Sequence, residues 1–182
     1  MSTQHFTFYA DIDDHAVRFI MRDIDNAITK GASKIHISMS SRGGSTKAGF
    51  TIYNFLKGVS VELSTHNLGH VDSASLCMFL AGENRTASPI SSFNIHKPTS
   101  NLPNESAYSK HLLFEYARGL EYDENNLVSI YTERASMDER TVRNLLDQGT
   151  VLTPSEALKF GIISSIEMFT KPIGEPVPCI GM

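Results

Sequence analysis

Strand-like runs alternate with segments of helical period along the first half of the chain, and this alternation is what most restricts the fold: it demands an α/β architecture with a mostly parallel sheet. Phe6-Thr7-Phe8-Tyr9 reads as a strand, and Asp13 or Asp14 caps a helix in which Val17, Ile20, Met21, Ile24 and Ile28 recur at helical spacing until Gly31. Lys34 to Met39 is a second strand, Gly43-Gly44 a turn, and Ala48, Phe50, Ile52, Tyr53 and Leu56 mark a second helix. Val61 to Thr65 is a third strand, Gly69 to Asp72 a loop, Ala74 to Ala81 a short apolar helix bounded by Gly82, and Phe93-Asn94-Ile95 a strand that delivers His96. Parallel sheets with right-handed crossovers carry their working residues beyond the C-terminal ends of the strands. Gly43, Ser73 and His96 all follow predicted strands.

Past Lys97-Pro98 the character changes. Pro103-Asn104-Glu105 opens a long helical stretch to about Arg134, with Leu112, Leu113, Tyr116, Leu120, Leu127, Ile130 and Tyr131 giving a broad apolar face. Asp138 to Leu146 is a further helix, Val151-Leu152 a short strand, Thr153 the cap of a helix beginning at Pro154, and Ile162-Ile163 a last strand. At 182 residues and 41% hydrophobic, the chain suits one core. A single domain over residues 1–170 is expected, with an irregular tail from Lys171 to Met182; no repeat or linker divides the chain.

A net charge of -4 with scattered Lys and Arg excludes the basic footprint of nucleic-acid binding. No apolar run reaches the length of a membrane span, and the N-terminus is acidic where a secretory signal is basic. Cys77 and Cys179 form no disulfide framework, which fits a reducing compartment, and a cytoplasmic location is expected. His66, His70 and Asp72 lack metal-ligand spacing, and Gly-Gly-Ser-Thr-Lys lacks the glycine-lysine-threonine order of a phosphate loop, so neither metal nor cofactor is expected.

Ser73 stands at a helix entrance, where unpaired N–H groups favour a developing negative charge. Its plain alternative is a helix cap. His96, at the end of a strand in the same layer, is the best placed of the seven histidines to act as a base, and Gly43-Gly44 offers unobstructed backbone donors. Ser75 is a fallback nucleophile, and Cys77, inside Leu76 to Leu80, reads as inert core.

The order of these pieces resembles the ClpP-like serine peptidases. Ser40 to Gly49 is similar to the family's Ser-Pro-Gly-Gly turn and following Ala-Gly, with Arg42 in place of the proline. Gly69-His70-Val71-Asp72-Ser73-Ala74-Ser75 resembles its nucleophile segment, Asn94-Ile95-His96-Lys97-Pro98 its Ile-His-Gln-Pro, and Leu152 to Ile163 its Leu-Ser-Ala-Pro-Glu-Ala to Tyr-Gly-Leu segment. The resemblance, over about residues 6 to 168, implies a ClpP/crotonase-like fold of repeated β-α-β units with a protruding handle at about 99–136. It implies Ser73 as nucleophile, His96 as base, the N–H groups of Gly43 and Ala74 as oxyanion donors, a peptide or unfolded-protein substrate, and self-association into a ring.

The family's catalytic aspartate falls on Gly149. Asp147, just upstream, is the expected orienter of His96; otherwise it is a solvated carboxylate and a backbone carbonyl or another polar side chain orients the ring. Asp72 is expected to line its loop without joining the site, since neighbours in sequence point apart. The first strand begins almost at Met1, where members that dock on unfoldase rings carry a preceding segment, so weak or no coupling to an ATPase is expected. Two other readings remain: a ring subunit whose triad has decayed, and a crotonase-like acyl-CoA enzyme sharing the oxyanion turn.

Overall fold

The computed structural model describes residues 2–104, 107–170 and 178–180. Strand β1 (Ser2–Tyr9) leads through α1 (Asp14–Thr29) to β2 (Ala32–Ser41), then through α2 (Thr46–Gly58) to β3 (Glu62–Asp72). Helix α3 (Ser75–Leu80), β4 (Asn84–Ala87) and β5 (Ser92–Ile95) follow. The second half holds α4 (Lys110–Arg134), α5 (Glu139–Gln148), β6 (Thr150–Leu152), α6 (Pro154–Lys159), β7 (Ser165–Ile166) and β8 (Cys179–Ile180). The expected caps form: Asp13 accepts from the Ala16 N–H, and Thr153 and Glu156 make a reciprocal capping box.

The sheet runs β6-β5-β3-β2-β1-β8, with β4 between β3 and β7 off this path. Every pairing is parallel except β5 with β6. Phe6, Phe8, Ile35, Ile37, Met39 and Leu63 alternate onto the buried face, where α1, α2 and α3 close the core. The other face is polar: His5, His36, Ser64 and Ser38, His66, Thr86 lie in register across β1 to β4.

Three boundaries differ from the sequence reading. Gly69 to Asp72, expected as a loop, is the end of β3: its register against β2 slips between Met39 and Ser41, and His70 to Asp72 then pair with β5. The long helix begins at Lys110, capped by Ser109, so Pro103 and Asn104 lie outside it and Glu105 outside the described residues. Ile162 and Ile163 are buried but form no strand; the Ile162 N–H closes α6 onto the Ala157 carbonyl, and the strand is β7. In the stretch read as an irregular tail, Cys179 and Ile180 pair with Thr7 and Phe8.

Candidate active site

The sheet order β2-β3-β5 sets three C-terminal strand ends side by side, and the chain leaves them through Gly43, Ser73 and His96. Ser73 has φ of 54°, the sole positive φ outside glycine among the described residues. Such a backbone costs on the order of 1 kcal/mol and needs its surroundings to hold it. Two contacts do so. The Ser73 N–H donates to the Asn94 carbonyl at 2.8 Å, one residue beyond the ladder, and Gly43 presses on the turn from the β2 side. A Cβ on Gly43 would lie 2.5 Å from the Asp72 carbonyl oxygen and 2.7 Å from Ser73 Cβ. Gly44 is equally confined, since its Cβ would meet the Ile12 carbonyl oxygen at 2.4 Å.

Ser73 is not a helix cap: α3 begins after Ala74, whose own cap position has no side-chain hydrogen bond. At six residues α3 brings little dipole, so donors for an oxyanion must be individual amides. The same hypothetical Cβ on Gly43 would stand 3.1 Å from the Ala74 nitrogen, so these two amides belong to one small neighbourhood around Ser73. The Gly43 N–H donates to Ser41 Oγ at 3.2 Å, a long bond that a developing oxyanion would displace.

His96 is half-buried, and its Nδ1 lies 2.8 Å from the Lys97 carbonyl oxygen. Since a carbonyl only accepts, this contact assigns the proton to Nδ1 and leaves the Nε2 lone pair free, the tautomer a general base needs. Asp147 does not supply it. Its carboxylate pairs with Lys97 Nζ at 2.5 Å, which also lies 3.4 Å from Glu124, and the Asp147 charge holds the Lys97 ammonium above its ordinary range. The last turn of α5 turns Asp147 outward, and Gly149 ends the helix at φ 62°. Gly149 is the residue beside the imidazole: a Cβ there would be 4.0 Å from His96 Cβ. Among the described residues no hydrogen bond joins Ser73 to His96.

The remaining candidates have structural occupations. Ser75 is fully buried, donating to the Asp72 carbonyl at 2.7 Å and facing the Ser41 carbonyl at 3.3 Å. Cys77 is sealed in the core and burial pushes its thiol up to about 12. His66 is bonded through both ring nitrogens to Thr86 and Ser88, and His70 to Ser40. Among the described residues no group of three His, Cys, Asp or Glu side chains is placed for a metal, and no helix is long and apolar enough to cross a membrane. Sequence reasoning held a backbone carbonyl as the alternative orienter without saying which, since a backbone group has no residue signature, and set aside Asp72, whose Oδ1 accepts the Asn94 N–H at 3.1 Å. Beside the site an open groove of about 910 Å³ runs from Gly44-Ser45 past Phe50 to Tyr116 and Leu120 of α4.

Residues 2–169 match the Clp protease family. The chain is 26% identical over 178 residues to the ATP-dependent Clp protease proteolytic subunit 2 of Treponema denticola, covering 96% of this chain and 87% of that one. It is 26% identical over 134 residues to the corresponding subunit of Bdellovibrio bacteriovorus, covering 72% of this chain and 63% of that one. A solved structure of a ClpP1 mutant from Listeria monocytogenes superposes with a TM-score of 0.81 at 20% identity, covering 90% of this chain and 91% of that one, which shows the ClpP-like fold.

Proposed function

The chain belongs to the Clp protease family, and from that premise we propose that it is a serine endopeptidase with Ser73 as nucleophile and His96 as general base. Ser73 Oγ attacks the peptide carbonyl while its proton passes to His96 Nε2; the Gly43 and Ala74 N–H groups receive the oxyanion, and His96 returns the proton to the leaving amine. The observation that carries this reading is the strained Ser73 turn, wedged between the Gly43 turn on one side and β5 on the other. Backbone strain of this kind clusters at functional sites.

The Lys97 carbonyl orients the imidazole, making a Ser73–His96 dyad in which Asp147 acts at one remove by tethering Lys97. A neutral carbonyl fixes the tautomer but stabilises the imidazolium less than a carboxylate does, so a slower enzyme than a full triad is expected. The groove beside Gly44 suits an extended peptide or unfolded segment. The exposed apolar residues on α4 favour self-association, with hydrolysis inside a ring-shaped chamber and no cofactor. Hydrolysis of an unstructured protein by the native chain, lost in Ser73→Ala and His96→Ala, tests the reading; equal turnover by Ser73→Ala overturns it. A non-catalytic ring subunit is the second reading, favoured by the bare Gly149 and by the lack of a Ser73–His96 hydrogen bond among the described residues. It requires a well-folded oligomer without hydrolysis, whereas acyl-CoA binding without peptidase activity would indicate a crotonase-like enzyme.

A further inference from the structure

We propose that Asp72 is the positioning carboxylate of this site: from the end of β3 it balances the charge that His96 gains on taking the Ser73 proton, the role for which Gly149 offers no side chain. This rests on the dyad reading above.

Asp72 pairs with Asn94 in the parallel ladder, so their side chains share a face of the sheet, and His96, two residues beyond Asn94, extends along that face. The Asp72 carboxylate is drawn to the β5 side by the Asn94 N–H at 3.1 Å. That is the imidazole's side of Ser73; the Gly43 and Ala74 amides approach from the β2 side, so the carboxylate is set toward the cation and away from the oxyanion donors. Burial raises the Asp72 carboxyl above its ordinary value, while His70, the Asn94 amide and His96 each draw it back down.

The other charges near His96 are committed elsewhere. Lys97 faces Asp147 and Glu124, and Glu124 also faces Arg143 at 3.2 Å. Asp147 is 56% exposed and spends its charge on that lysine. Asp72 is then the carboxylate on this end of β3, in register with Asn94, that has no ion-pair partner of its own among the described residues.

The coupling is open to direct measurement. The ring proton signals of His96 are followed through pH by NMR in the full chain, in Asp72→Asn and in an exposed control, Asp25→Asn. Asparagine keeps an oxygen for the Asn94 N–H, so the fold of the turn is retained while the charge is lost. The His96 titration is expected to fall by about half a unit or more in Asp72→Asn, to be restored in Asp72→Glu, and to stay unchanged in the control. The acid limb of Ser73 labelling by a fluorophosphonate is expected to move down by the same interval, with the plateau rate reduced about tenfold. A His96 titration unmoved by Asp72→Asn overturns the proposal. A shifted titration with a Ser73 that never labels overturns the peptidase reading instead and leaves the electrostatic pair standing.

Discussion

At the scale of single residues, Gly43 is tightly confined. Its φ of 89° favours glycine, and any side chain would strike both the Asp72 carbonyl and Ser73 Cβ. Gly43→Ala is therefore expected to displace the Ser73 turn and cut peptide hydrolysis by a factor of about a hundred or more, comparable to losing an oxyanion donor. A melting temperature lowered only modestly would show that the damage is local; wild-type turnover in this variant would mean that the Gly43 amide and the turn it supports are not part of the machinery. Gly149 carries the opposite lesson. It stands beside His96 without a side chain to offer, and the imidazole Nδ1 meets the Lys97 carbonyl instead.

At the scale of elements, Arg85 on β4 ties the second half of the chain to the first. Its guanidinium donates to the carbonyls of Gly82, Arg134, Gly161 and Ile162 at 2.7–3.0 Å, joining β4 to the ends of α4 and α6. Arg85→Met removes a donor from four carbonyls, of which Gly82 keeps the Arg134 guanidinium, and is expected to destabilise the fold by about 3 kcal/mol, read from chemical denaturation. A change below about 1 kcal/mol would contradict that role.

The polar face of the sheet gives a pH dependence. Burial first, then the like charges of His5 and His66, lower the His36 imidazole to about 4 against the opposing pull of Glu167; its nitrogens face Ser64 and Ser38. Because the folded value lies below the unfolded one near 6.5, the unfolded chain takes up the proton first. Stability is unaffected above that value and falls as pH drops from about 6.5 toward 4, by on the order of 1–2 kcal/mol after solvent screening. Thermal melts of the native chain and His36→Gln should converge on acidification; parallel curves would contradict the assignment.

These elements also show what a sequence exposes. The strand-helix alternation and the caps at Asp13 and Thr153 were legible because each depends on neighbours in the chain. Gly69 to Asp72 was read as a loop because its glycine breaks local strand character, whereas β2 and β5 hold it from both sides. Ile162-Ile163 looked like a strand from its β-branched pair, yet what buries it is the packing beyond α6. Gly43, Ser73 and His96 were legible as strand-end residues; the partner of His96 Nδ1 was not, because it depends on how the chain turns after β5.

At the scale of the whole molecule, α4 is only partly accounted for by its own chain. Leu127, Val128, Ile130 and Tyr131 are buried, but Leu113, Phe114 and Tyr122 are 45%, 56% and 66% exposed. A helix that holds apolar side chains in water along its first turns suits a partner of the same kind. Leu113→Glu with Phe114→Glu is expected to lower the sedimenting mass with an unchanged circular-dichroism spectrum; an unaltered mass would place the contact elsewhere.

The central claim is that one strained serine, backed by an imidazole on the next strand, is a nucleophile. A fluorophosphonate probe applied to the folded chain, with the adduct located by tandem mass spectrometry, tests it directly. The adduct is expected on Ser73 alone and to be lost in His96→Ala; a folded chain that takes no adduct on Ser73, or labels equally well without His96, would contradict it.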